Sequence, residues 1–270
     1  TCALPIYYYY LSGEYDNMLR AFELDQGEHL RADDLRYIQD AFEACPEEIQ
    51  NQHYLAMMIY ARQLFMCGRK EELKRHLERM DEETRPSSVP EAERHEYNGE
   101  KEMLKAYLAV HDPARMTEHL LQSAKQLKHP SAQAGRMSPF TFGAPSVMFL
   151  FYTETGRLDE PLGKYAASRE LYYRLTSHNG RGSEYLFDAE IQFNRGNLDK
   201  ADILSHKAGT IAAKYHQTGT GIGAWFLQAR ISIIRGETDR GMGNLDQITA
   251  LDLEEYVDYL KAYQQPDSDH

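Results

Sequence analysis

Phe193-Asn194-Arg195-Gly196-Asn197-Leu198-Asp199 decides how this chain is read. Glycine takes the left-handed conformation that closes a helix, and the carboxylate three positions later falls in the first turn of the next helix, opposite the positive end of its dipole. The same grammar returns in Ile233-Ile234-Arg235-Gly236-Glu237-Thr238-Asp239, and earlier at Gly156 with Asp159 and at Gly68 with Glu71. His111-Asp112-Pro113 is a fifth turn of different chemistry: the aspartate is an N-cap, and proline stands at the first helical position, where its missing N–H is not needed. Turns at 68, 112, 156, 196 and 236 are separated by 44, 44, 40 and 40 residues. Gly13 with Asp16 follows the same rule off the register. Ala201, Leu204, Ala208, Ile211 and Tyr215 recur at intervals of three and four after one turn, as do Ile222, Phe226, Ala229 and Ile233 before the next. One such helix pair cannot bury its own apolar face and must stack on the next. The expected fold is therefore all-α, a right-handed superhelix of antiparallel helix pairs repeating every 40–44 residues.

Superposing two repeats on their glycines sets Ala189 over Ala229 and Ala201 over Gly241, small residues where antiparallel helices cross closely. With Trp225 four positions before Ala229, the order of aromatic, small, turn-glycine and small positions resembles the tetratricopeptide pattern, in a longer repeat. Around Gly156 the small positions hold Phe149 and Pro161, so this repeat departs from the pattern.

The 270 residues are 42% hydrophobic, ample for one extended stack of helices. No apolar run approaches the roughly 20 residues that span a bilayer; the longest, Val147 to Tyr152, reads as buried helix. A cytoplasmic chain without membrane contact is expected. Cys2, Cys45 and Cys67 have no metal-type spacing and predict reduced structural thiols. The net charge of −12, from 42 acidic against 30 basic residues, opposes direct nucleic-acid contact by this segment. The stretch from Asp81 to Glu100 reads as an inter-repeat loop leading into a charged helix. Thr1-Cys2-Ala3-Leu4-Pro5-Ile6 resembles the translation of a common sequencing-adapter end, so residues 1–6 are set aside and residues 7–270 are expected to form one domain, a fragment of a larger protein. Tyr7 to Leu11, and Tyr256, Tyr259, Leu260 and Tyr263, carry apolar surface suited to further packing.

Gly219-Thr220-Gly221-Ile222-Gly223 could bring backbone N–H groups against a phosphate. A helix rather than a strand precedes it and no Lys-Ser/Thr pair follows, so it reads as a flexible inter-helix loop. Tyr172 to Tyr185 gathers aromatics, two arginines, a histidine and two serines around a glycine-punctuated turn. Within it Tyr173, Arg174, His178, Arg181 and Tyr185 are the candidate effector- or partner-binding residues, since Arg and Tyr favour interfaces and rim loops carry function. The plain alternative is a helix end whose tyrosines pack and whose arginines are solvated. No His-Glu-x-x-His, nucleophile elbow or selected carboxylate pair is present, so no catalytic, metal or cofactor-binding residue is expected. The nineteen tyrosines could line a groove, although in helical stacks they more often fill the seam.

Four further stretches in order, Ala41-Phe42-Glu43-Ala44-Cys45-Pro46-Glu47-Glu48-Ile49, Lys105 to Met116, Thr141-Phe142-Gly143-Ala144-Pro145-Ser146-Val147, and Tyr172-Tyr173-Arg174-Leu175-Thr176 with Gly182-Ser183-Glu184-Tyr185, are similar to the helical-repeat region of large ATP-binding LuxR-type transcriptional regulators of the maltose-regulon-activator type. The resemblance runs from Tyr7 to about Ala250. It implies a bacterial protein in which an ATP-binding module precedes this superhelix and a helix-turn-helix follows it. ATP and DNA would then belong to those modules. The superhelix would be a non-catalytic sensor that binds a small-molecule inducer or a protein partner and supports self-association of the whole protein. A free-standing tetratricopeptide-like scaffold or co-chaperone is the alternative, and an α/α-toroid carbohydrate-active enzyme is a third.

Overall fold

The computed structural model describes residues 3–25, 35–66, 69–82, 91–109, 112–132, 156, 163, 165–166 and 168–249. Among these the chain is all-helical, with no strand. Thirteen helices are seen: α1 Ala3–Leu11, α2 Tyr15–Asp25, α3 Leu35–Ala44, α4 Glu47–Gln50, α5 Tyr54–Met66, α6 Lys70–Glu82, α7 Glu91–Leu108, α8 Pro113–Gln126, α9 Arg169–Leu175, α10 Ser183–Asn194, α11 Leu198–Lys214, α12 Thr218–Ile234 and α13 Thr238–Thr249. They fall into two compact units, one up to Leu104 and one from Lys105.

In the second unit the turns form as their residues dictate. After α10, Gly196 adopts φ +79°, its N–H donates to the Phe193 carbonyl and the Asn197 N–H donates to that of Gln192. After α12, Gly236 adopts φ +78° and the same pair of bonds runs from Gly236 to Ile233 and from Glu237 to Ser232. These are Schellman closures, which satisfy carbonyls the helix end leaves orphaned. Asp199 and Asp239 stand in the following first turns. Asp112 caps α8 by accepting from the Ala114 and Arg115 N–H groups, with Pro113 at the first position. Gly13 closes α1 in the same way, and Gly156 is also left-handed. Gly68, Asp159, Phe149, Pro161, His111, Cys2, Cys67, residues 1–2 and 250–270, and the segment Val147 to Tyr152 lie outside the described residues.

From α10 onward each helix packs on its successor, and α10 also touches α12. The seam is made of small residues: Ala189, Ala201, Ala208 and Ala224 are fully buried beside Leu186, Leu227 and Ile231. Ala229 is likewise buried, and a Cβ added to Gly241 would lie 3.4 Å from the Ala229 carbonyl and 3.3 Å from Ile233. The paired small positions are therefore close helix crossings. The turns are also tied across the repeat, because Arg235 binds Asp202 at 2.9 Å and Asp199, while Arg240 reaches Asp202 at 3.4 Å and Glu237 at 3.0 Å. Arg235 thereby links its turn to α11.

The Gly219 to Gly223 stretch is not a loop. It forms the first turns of α12, with Thr220, Gly221 and Gly223 buried. Glycine disfavours a helix interior by about 1 kcal/mol relative to alanine, and burial beside α11 outweighs that here; Ala224 lies 3.7 Å from where a Gly209 Cβ would stand. Gly221 itself has open space, with nothing within 4 Å of an added Cβ. Gly221→Ala is therefore expected to stabilise the unit by about 1 kcal/mol, read as a raised melting temperature. A lowered one would show that the α12 start needs glycine.

In the first unit, a column of rings crosses four helices. Phe22 of α2 meets Phe42 of α3 edge-on at 5.1 Å, Phe42 stacks on Tyr60 of α5 at 4.3 Å, and Tyr60 meets His76 of α6 at 5.3 Å. The buried Gln50 amide donates to the Phe42 and Cys45 carbonyls at 2.8 and 2.7 Å, fastening α3 to α4. Cys45 is buried as a free thiol, and desolvation pushes it up to about 11. His53, buried before α5, faces Asp16 through Nε2 at 3.0 Å and Glu23 through Nδ1 at 3.3 Å. The bond to His53 holds the Asp16 carboxyl below its usual range, with Arg20 adding to the effect.

Candidate functional site

The candidate residues lie on the connection from α9 to α10. That connection is short of conventional backbone: Ser177, His178, Gly180 and Gly182 all have positive φ, at 51°, 69°, 74° and 97°. A non-glycine residue in that region is uncommon, and two in succession mark a fixed local shape. The His178 N–H donates to the Tyr173 carbonyl at 2.8 Å, closing α9, and the Arg181 N–H to that of His178 at 3.0 Å. From the α11–α12 turn, Gln217 Oε1 accepts from the Gly180 N–H at 2.7 Å while its amide nitrogen donates to the Tyr215 carbonyl at 2.8 Å. Gly182 presses on α11, leaving a would-be Cβ only 2.9 Å from the Ala208 carbonyl oxygen. The loop is thus clamped on one side by a glutamine and on the other by the backbone of a helix.

Tyr173 is 2% exposed, and its hydroxyl donates to Glu184 Oε2 at 2.5 Å. The same oxygen accepts the Gly182 N–H at 2.9 Å. Burial first, and then the Glu184 carboxylate, drive the Tyr173 phenol upward, so it stays protonated. Tyr172 is also driven upward by desolvation, opposed by bonds to the Tyr107 and Asn179 side chains. The Arg181 guanidinium carbon stands over two rings, 4.6 Å from the Tyr173 centroid and 5.4 Å from that of Tyr215. Its Nη1 donates to Glu170 Oε2 at 2.9 Å and Oε1 at 3.1 Å, and this hydrogen bond raises its already high pKa.

The structure therefore brings Tyr173, His178 and Arg181 together and gives each a different part. Tyr173 is core and positions Glu184 and the loop. Arg181 is tied down, over two tyrosine rings and ion-paired with Glu170. His178 is exposed and rests on Tyr215, ring to ring at 5.2 Å. Arg174 is exposed, with no partner among the described residues. Tyr185 joins a separate contact, beneath the Lys207 ammonium at 4.1 Å and against the alanine-rich core. Sequence reading does not single out Glu170, Glu184, Lys214, Tyr215 or Gln217 as site residues. The repeat could have supplied the last three, since a shift of 40 residues carries Leu175, the end of α9, onto Tyr215.

Two substitutions separate these roles. Arg174→Ala is expected to leave stability within about 0.5 kcal/mol of the parent, whereas Arg181→Ala removes a cation–π contact and an ion pair and costs about 1 kcal/mol. Urea midpoints check both. Equal midpoints for the two variants would mean that Arg181 is as free as Arg174.

Among the described residues, no group of three or more His, Cys, Asp or Glu side chains is placed to hold a metal, and no helix is long and apolar enough to cross a membrane. Comparison with known proteins finds no matching family model, no matching curated protein and no matching solved structure.

Proposed function

We propose that this chain is the sensing and protein-interaction segment of a large LuxR-type transcriptional regulator, without catalysis of its own. The observation that carries the reading is the consecutive packing of α10 to α13, with the turns after α10 and α12 closed by the same glycine motif 40 residues apart. Helix pairs that contact their sequence neighbours generate an open superhelix with a long inner face. The clamped loop from 176 to 182 adds a fixed shape and the Arg181 guanidinium as a recognition feature. A sensor needs only to bind one arrangement of the stack better than another for its ligand to shift the balance between resting and assembled regulator. The reading places the protein in the bacterial cytoplasm, with ATP and DNA bound by flanking modules.

The same stacking suits a free-standing scaffold, and the flanking reading frame separates the two. The regulator requires a Gly-x-x-x-x-Gly-Lys-Ser/Thr motif upstream and a helix-turn-helix downstream. A frame holding further helical repeats and neither module overturns it in favour of the scaffold. Small-angle scattering tests the superhelix itself. A radius of gyration clearly above the ~18 Å of a compact globule of this length is expected, and a value at or below it would instead suit a closed helical ring.

A further inference from the structure

Around Tyr215 two cationic side chains gather in a chain of opposite net charge. The net charge is −12, yet the Tyr215 ring centroid has His178 at 5.2 Å, Arg181 at 5.4 Å and Lys214 at 5.5 Å. Arg174 is exposed on α9, four residues after Glu170 and so on the same helical face. Of the acidic residues at this corner, Glu184 is engaged by the Tyr173 hydroxyl and the Gly182 N–H. Among the described residues Glu170 is the acidic group that faces Arg181, and 74% of its side chain is exposed.

The Glu170 contact leaves Arg181 incompletely used. Both carboxylate oxygens bond Nη1, while Nη2 and Nε have no hydrogen-bond partner among the described residues. A guanidinium presents a fork suited to a second, bidentate carboxylate, and here the two tyrosine faces already hold that fork in place. Ordering the arginine is therefore settled on folding rather than on binding. An exposed ion pair such as Glu170 with Arg181 is weak and exchangeable.

We infer that this tyrosine-centred cluster is a docking site for an acidic segment of a partner protein, with Glu170 as an internal occupant that the partner's carboxylates displace from Arg181. The inference rests on reading the 176–182 loop as a recognition surface. An extended peptide can set one carboxylate on Arg181 and others toward Arg174 and Lys214, which lie on different elements. A short acidic segment feels the local cations within a screening length of about 10 Å, whereas a nucleic-acid strand would run on across the acidic remainder.

The test is fluorescence anisotropy of a labelled deca-glutamate peptide with the full chain at low salt, with deca-lysine as the control. Wild type is expected to bind deca-glutamate with an affinity that falls as salt rises. Glu170→Gln should tighten binding about threefold, Arg174→Ala weaken it about threefold and Arg181→Lys, which keeps charge but loses the fork, weaken it about tenfold. Deca-lysine binding should be unchanged by Arg174→Ala and Arg181→Lys. Wild-type affinity for deca-glutamate in those two variants would overturn the site, as would unaltered binding by Glu170→Gln, which lies on the surface and so does not depend on how the arginine variants fold. Competition by inorganic phosphate or by a deca-thymidine strand at equal concentration would overturn the peptide assignment in favour of a small anion or nucleic acid. None of these outcomes depends on the flanking modules, so failure here leaves the regulator reading standing, and loss of that reading leaves the peptide site standing.

Discussion

Gly182→Ala is expected to be the most damaging single-atom enlargement in the second unit. Two costs add. The residue sits at φ +97°, where a Cβ is strained by about 1–2 kcal/mol. The new methyl would also lie 2.9 Å from the Ala208 carbonyl oxygen and 3.3 Å from the Ala212 nitrogen. Those atoms are four residues apart in α11, so the methyl would press on the helix ladder, which cannot turn aside as a flexible side chain can. Together the loss is about 3 kcal/mol, or ~10 °C in melting temperature. Gly196→Ala is the control, because it shares the left-handed backbone at φ +79° but has nothing within 4 Å of the added atom. It should cost only about 1 kcal/mol. If thermal melts by circular dichroism show the two variants equally stable, α10 does not press on α11 as described.

Acidification should weaken the first unit at a pH where most proteins are still stable. His76 is buried, with Nε2 donating to the Met57 carbonyl at 3.1 Å and Nδ1 facing the Arg79 guanidinium at 3.4 Å. Nδ1 is thus the acceptor, and a proton there would be buried against a cation. Burial chiefly, with Arg79 assisting and the Met57 bond opposing, lowers its pKa from 6.5 to about 4. The unfolded chain therefore binds the proton first. The stabilisation is complete above pH 6.5 and is lost progressively as pH falls toward 4. Its full size is on the order of 3 kcal/mol. Carboxylates titrate in the lower part of this window, so the useful quantity is the difference between wild type and His76→Gln, whose amide can keep the donor to Met57. Urea denaturation at pH 7 and pH 4.5 should show a wild-type loss exceeding that of the variant. Equal losses would mean that His76 is not held neutral.

How much of this was legible in the sequence depended on whether a residue acts through the backbone or through distant partners. Gly196 and Gly236 announce left-handed closure because other residues pay a steric cost there, and Asp112 announces a cap because its side chain meets N–H groups two and three residues away. The alanines at 189, 201 and 229 are readable through the repeat, since a close crossing must recur at the same register. Three features escaped. His216 closes α11 at φ +55°, with its N–H on the Ala213 carbonyl and that of Gln217 on Ala212, so a histidine does a glycine's work. The glycines from 219 to 223 enter a helix because neighbouring helices bury them, a tertiary effect that overrides propensity. Tyr215 becomes the centre of the candidate site only when the loop from 176 to 182 is folded onto it.

The order in which α10 to α13 pack also bears on how the chain assembles. Contacts made mainly between adjacent elements require little loop closure, and topologies of this kind fold in microseconds to milliseconds rather than seconds. Each hairpin can nucleate by itself and recruit the next. An emerging polypeptide could thus begin to fold these helices from Ser183 onward while its later residues are still on the ribosome.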